Sequence, residues 1–296
     1  MNNRNVKQTK LQNVKCDDWP KVVEVVKRND FQVCSIHHES EKIEEFWLSE
    51  NYDYDCFIFK KRRDGSRNLI KTVAHTSPCI EIQKMLITTL TDSPRPLDKL
   101  KLDADSWLTE FSRLHAVRSC QLVELTFDPR TRPKPQFLDN LNNQATLILK
   151  ISDIGNMGPN FFFSSYFSRF EESVCVVQQQ TENNGLFNDI AFRRNETKRL
   201  WVTGCAMTSK AIQEKLFNWQ LGITSLEFFM FRDNSSAFSL QEIVDGLNSE
   251  RTLFIGDENY ETHLIKREDG QIGKLHFSTR CISFNGTDQE LECPGE

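Results

Sequence analysis

Nine cysteines, six histidines and a few adjacent carboxylates are the residues of this 296-residue chain that could do chemistry. A catalytic thiol needs a general base beside it, and a bound metal needs several converging ligands. The cysteines (Cys16, Cys34, Cys56, Cys79, Cys120, Cys175, Cys205, Cys281 and Cys293) are scattered, with no CxxC pair. Several fall inside apolar runs, where a thiol behaves as a small hydrophobe, so free thiols in a reducing compartment are expected. His37 and His38 are adjacent, which in a strand sends them to opposite faces, a poor chelating geometry. His75, His115, His263 and His276 stand alone. The carboxylate pairs Asp17-Asp18, Glu44-Glu45 and Glu171-Glu172 lie in charged stretches and read as solvated faces. Signatures that cradle phosphate are missing: there is no GxGxxG and no GxxxxGK, and no GxSxG nucleophile elbow. The residues therefore predict no catalytic group, no metal ligand and no cofactor, and they assign no partner-binding residue. The alternative is an enzyme, a hydrolase or transferase, whose site assembles only in three dimensions. It requires a concave pocket holding a His or Cys with a charged neighbour at hydrogen-bond distance.

Bulk properties narrow the field. Apolar residues make up 38% and charged residues 27%, the balance of an ordinary globular chain. The net charge is -5 and the pI about 5.8, which disfavours a surface that tracks nucleic-acid phosphates. The basic run Lys60-Lys61-Arg62-Arg63 precedes Asp64-Gly65 and reads as a strand end and turn. No run approaches the ~18 apolar residues of a membrane span. The polar start predicts no secretory signal, and hence an intracellular protein, cytoplasmic or nuclear.

The elements that would position any site show a clear rhythm. Short apolar runs begin at Leu100, Leu122, Leu147, Val174, Leu200, Leu226 and Leu253, at intervals of 22, 25, 27, 26, 26 and 27 residues. That period fits one strand, one helix and two turns. The predicted fold is α/β: repeated strand-helix units in a curved parallel array like that of leucine-rich repeats. Residues 1–15 read as a disordered tail, 16–95 as an irregular α+β cap, 96–286 as the array, and 287–296 as a loose tail.

Within the cap, Phe31 to Ile36 reads as a strand, Glu41 to Leu48 as helix or strand, and Tyr52 onward as a hairpin arm. Ile80 to Leu90 has helical spacing, ended by Asp92-Ser93-Pro94. Candidate helices of the array are Ser106 to Val117, Gln136 to Asn142, Phe161 to Phe170, Ser209 to Leu221 and Ser239 to Leu247. Thr208 or Ser209 caps the fourth and Gly222 closes it, with Ile212, Leu216 and Trp219 on one face. Ser239 with Glu242 makes a capping-box pattern. The rings at Phe161, Phe162, Phe163, Tyr166, Phe167 and Phe170 predict burial on several sides, with an exposed docking patch as the sharper alternative.

Two segments carry a resemblance. RLWVTGCAMTSKAIQEKLFNWQLGITSLEFFMF, from Arg199, resembles the most typical stretch of the nematode F-box-associated domain, type 2. Trp201, Val202, Gly204, Thr208, Trp219, Gly222, Leu226 and Glu227 stand where that pattern expects them. LIKREDGQIGKLHF resembles the family's later hairpin, with Ile265, Arg267, Asp269 and Gly270 in step. Leu264 and Gly273 depart from the usual acidic residue and alanine. The Asp-Gly pair would supply the hairpin turn. The two matches cover about 80 residues.

The resemblance implies a non-enzymatic protein-interaction domain, the substrate-recognition part of an F-box ubiquitin-ligase receptor. Family members carry an F-box that docks on a Skp1-type adaptor, and no such segment is evident in this sequence. A protein substrate or partner is therefore expected, and the adaptor only if an F-box lies upstream. Neither nucleic acid nor membrane is expected.

Overall fold

The apolar runs of the sequence become neighbouring rungs of one sheet. The computed structural model describes residues 18–103, 113–127, 138–151, 169–178, 187–252, 261–278, 280–287 and 289.

The N-terminal part is more regular than its sequence suggests. β1 (Pro20–Arg28), β2 (Phe31–His38), β3 (Ile43–Glu50), β4 (Cys56–Lys61) and β5 (Arg67–Val73) form a consecutive antiparallel meander. The ambiguous segment from Glu41 to Leu48 is thus a strand from Ile43. Tight turns explain the regularity, with positive φ at Asn29, Glu41 and Gly65. The basic run ends β4 and enters the Asp64-Gly65 turn, where Arg62 N–H donates to Ser66 O at 2.8 Å.

Helix α1 (Pro78–Leu90) follows, two residues longer at its start than the apolar spacing implies. Ser77 accepts the Ile80 N–H as its cap, and Pro78 occupies the first turn. Ile82 and Leu86 pack on Cys34, Ile36, Leu48 and Ile58 of the meander.

β6 (Lys99–Asp103) then lies parallel to β1, so the meander and the array share one sheet. After α2 (His115–Arg118) come β7 (Leu122–Phe127), β8 (Thr146–Ile151) and β9 (Ser173–Gln178). The short β10 (Phe187–Asn188) and α3 (Asp189–Arg194) lead into β11 (Arg199–Thr203). β12 (Cys205–Ala206) pairs with β10, and α4 (Ser209–Gln220) leads to β13 (Phe228–Arg232).

Six of the seven expected strands are therefore present, parallel and laid down in strict sequence order. The seventh, at Leu253, lies outside the described residues. Of the expected helices, Ser106–Val117 is described only from Arg113 and Phe161–Phe170 only at its last two residues, while Gln136–Asn142 is described from Leu138 and holds no more than a short helical turn; of the ring cluster only Phe170 is described, and it is fully buried.

Register explains the core. Leu100, Val123, Leu147, Val174, Leu200 and Phe229 align across the six strands, and Leu102, Leu125, Leu149, Val176, Val202 and Phe231 form a second line. All twelve are buried, on the face that also receives Ile212, Leu216 and Trp219 of α4. Because every crossover steps the same way along the sheet, one handedness places the helices on one side.

The chain closes with α5 (Leu240–Val244), β14 (Ser249–Thr252), β15 (Glu261–Lys266), β16 (Ile272–Phe277) and β17 (Ile282–Asn285). The expected hairpin is β15–β16, with Gly270 at φ +90 in its turn. Beyond that hairpin the array departs from its expected parallel order, because β17 inserts antiparallel between β13 and β16. The result is a mixed α/β fold built, among the described residues, on one 15-stranded sheet, parallel in its middle and antiparallel at both ends.

Candidate interaction surfaces

The thiols come first, because a nucleophile must ionise. Burial pushes Cys34, Cys120 and Cys205 up to about 12, and burial together with Glu81 pushes Cys56 up to about 11. These four are structural at neutral pH.

The histidines are dispersed. His37 and His38 both lie in β2, as adjacent strand residues on opposite faces. The His38 ring contacts the Asp18 carbonyl oxygen at 3.2 Å and the Glu44 carboxylate at 3.4 Å. His75 and His115 are exposed. His263 touches Glu261 at 3.1 Å. His276 bonds the Thr262 hydroxyl at 3.0 Å, and burial plus Lys274 lower its pKa. Among the described residues no group of three or more His, Cys, Asp or Glu could hold a metal ion.

The carboxylate pairs are less solvated than expected. Glu44 is partly buried and meets Lys60 at 2.8 Å and Lys42 at 3.3 Å. Glu45 takes a hydrogen bond from the Trp47 indole. Glu172 pairs with Lys198 at 2.6 Å. Asp17 lies outside the described residues.

On the sheet face opposite the helices, Lys101, Glu124, Ile148, Cys175, Trp201 and Met230 form one line. Glu124 is buried yet meets three ammonium groups: Lys150 at 2.9 Å, Lys99 at 3.2 Å and Lys101 at 3.4 Å. Burial raises its pKa, but Lys150 and Lys101 prevail, and the net direction is down. Ile148, Cys175, Trp201 and Phe228 form a small second core beside it. The Trp201 and Phe228 rings stand 5.0 Å apart. Trp201 Nε1 is buried with no hydrogen-bond partner among the described residues. The sequence does hold a signal for the acidic centre: Lys101, Glu124 and Lys150 each interrupt an otherwise apolar run, and register brings the interruptions together.

Two clefts are lined by described residues. One, of about 580 Å³, is lined by Arg193, Glu214, Lys215, Asn218 and Thr224 among others. Lys215 is buried and its pKa is lowered, chiefly by loss of water. Its ammonium donates to Asn195 O at 2.7 Å and Phe192 O at 3.5 Å, carbonyls at the C-terminal end of α3. A cation there complements the helix dipole, which gives this lysine a structural role.

The other cleft, of about 390 Å³, is a groove between α1 and the edge strand β5. Its walls include Ile36, Phe46, Ile58, Ile70 and Met85, with Lys71, Glu81 and Lys84 at the rim. Behind it, Arg67 of β5 lies over the Trp47 ring at 3.8 Å and the Phe31 ring at 4.8 Å. The described linings of these two clefts include neither His nor Cys.

The two segments that carry the resemblance meet in space. Thr208 caps α4 by accepting the Ala211 N–H, and Gly222 takes φ +70 beyond its end. Arg267, from the β15–β16 turn, lies over the Trp219 ring at 5.6 Å. Gln220 Nε2 donates to Lys266 O at 2.8 Å, and Glu268 N–H donates to Gln220 O at 3.1 Å. Glu227 pairs with Arg199 at 3.0 Å at the strand starts.

No helix among the described residues is long and apolar enough to cross a membrane. No family model, curated protein or solved structure matches this chain.

Proposed function

We propose that this chain is a non-enzymatic protein-interaction domain of the F-box-associated type. In this reading its strand-helix units form a curved array like that of leucine-rich repeats, and it recognises a protein substrate inside the cell. The observation that carries the reading is the junction of the two motif segments. Trp219, Gln220 and Gly222 at one end of α4 touch Lys266, Arg267 and Glu268, about fifty residues later. Segments that resemble one family pattern and also pack on one another are consistent with a single structural unit. The buried, un-ionised thiols agree with a binding role.

Affinity capture under native conditions, followed by reconstitution with the purified partner, tests the proposal. A protein partner that binds the purified chain is the expected result. If no protein reconstitutes binding, the proposal fails. This chain alone should show no binding to a Skp1-type adaptor in a titration, and micromolar binding there would overturn its assignment to the recognition half.

A further inference from the structure

Among the described residues the sheet ends in two edges that differ in chemistry. β14 is four residues long and polar, a short edge that resists pairing. β5 is seven residues long, and every residue of it except Val73 is exposed. Leu69 and Ile70 stand 48% and 49% exposed, and no strand pairs with the outer side of β5 among the described residues.

The register makes Ile70 unusual. Phe59 faces Leu69 and Ile58 faces Lys71, so Ile70 is the extra residue of a bulge. A bulge re-aims a side chain, and here Ile70 joins Ile36, Ile58, Phe46 and Met85 around the groove beside α1. The edge is also braced from behind, because Arg67 is held over Trp47 and Phe31. An apolar slot thus runs along an open, fixed strand.

Charge selects the occupant. On the groove side, α1 and β5 carry the exposed Lys84 and Lys71 beside one buried carboxylate, Glu81, while Arg67 lies behind, over the Trp47 and Phe31 rings. Glu81 is buried and shared, at 2.6 Å from Lys84 and 3.7 Å from Lys71, while both lysines are more than 60% exposed. The Glu44 carboxylate in the groove is already met by Lys60, Lys42 and His38. The rim is therefore basic on a protein of net charge -5.

We propose that β5 is a docking edge that takes an extended acidic peptide as an added strand. An aliphatic side chain of the peptide fills the groove beside Ile70, and its carboxylates reach Lys71 and Lys84. This inference rests on the reading of the chain as a protein-interaction domain and names the chemistry of the partner. A second copy is a poorer occupant, because pairing β5 with itself about Ile70 brings two sets of Arg67 and Lys71 together.

The test is selection of phage-displayed random dodecapeptides on the intact protein, then anisotropy titration of the synthesised winners. Winners should be rich in Asp and Glu around β-branched residues, and they should weaken as salt is raised. The variant pair Lys71→Glu with Lys84→Glu should lose at least tenfold in affinity, and Ile70→Arg a similar amount. The lysine changes are made in a Glu81→Gln background, because Glu81 is buried against both lysines, and each variant must melt like its own parent. Hydrogen exchange should show residues 67–73 newly protected on binding.

Winners that protect another surface, or that ignore these substitutions, overturn the β5 proposal and leave the protein-interaction reading standing. A selection that enriches nothing counts against both. Sedimentation showing a dimer that Ile70→Arg dissolves would replace the peptide by a second copy, which also overturns the proposal.

Discussion

Trp219 and Phe284 meet edge to face, with ring centres 4.8 Å apart and ring planes at 73°. Trp219 comes from α4 and Phe284 from β17, so this contact fastens the last helix of the parallel region to the antiparallel end. Two glycines border it. A Cβ at Gly286 would lie 2.9 Å from Trp219 Nε1, and one at Gly273 would run into the Phe284 ring.

Removing the indole should therefore be costly. Trp219→Ala is expected to destabilise by ~3–5 kcal/mol, the range for truncating a large aromatic core residue. Urea denaturation checks this, and a variant with the parental midpoint would show that the junction is not held by Trp219.

Gly273→Ala restores the residue that the resembling hairpin usually carries, yet it should hurt this chain. The added methyl has no room between Phe284 and Trp219, and overpacking of this kind costs about 1–3 kcal/mol. Thermal melting reads the loss. Pairing the change with Phe284→Leu should recover part of it, and no recovery would mean the clash lies elsewhere.

Gly270→Val tests the turn separately. Open space surrounds this glycine, so any loss comes from its φ of +90 and not from a clash. A β-branched residue held there costs roughly 1–3 kcal/mol. A melt unchanged by Gly270→Val would deny the strain.

Glu124 links stability to acid. Its folded pKa lies below the ordinary carboxylate value, so the unfolded chain binds the proton more readily. The stabilisation is complete above the unfolded pKa and disappears as pH falls through the folded one. Glu124→Gln should cost about 1–3 kcal/mol at pH 7, the scale of a hydrogen bond to a charged group. The gap between variant and parent should narrow below about pH 4. A gap that stays constant with pH would remove the three-lysine contact as its cause.

The buried thiols give the opposite sign. Cys34, Cys120 and Cys205 ionise near 12 when folded and near the usual 8–9 when unfolded. Unfolding therefore releases protons between those values, and stability falls as pH rises from about 9 towards 12. Iodoacetamide at pH 8 should leave these three unlabelled in the native protein and label them in denaturant. Rapid native labelling would contradict their burial.

Much of the middle of the sheet was legible because each strand there announces itself locally. The runs at Leu122, Leu147, Val174 and Leu200 each open on two or more successive apolar residues, Leu100 and Leu102 flank Lys101, and Thr208, Trp219 and Gly222 punctuate α4. What stayed hidden depends on long-range pairing. The match of β1 with β6 joins Val22 to Lys99, and nothing near either residue reveals it. β17 escaped notice because Ile282 to Asn285 is short and offers only two core side chains, Ile282 and Phe284. In the N-terminal quarter, the bulge at Ile70 broke the alternation that would have marked β5 as a strand. The candidate groove was beyond local reading for the same reason, since α1 and β5 make it only when both dock on the meander.

The position of β17 has a consequence for how the protein is made. Ile282–Asn285 leaves the ribosome after β13 and β16, yet it pairs with β13 on one side and β16 on the other. Until it arrives, the Phe228–Arg232 backbone is an unprotected seam in the nascent chain. Stop codons that fall between Ile282 and Asn285 would therefore yield sticky, chaperone-dependent products, although β13 and β16 are both complete.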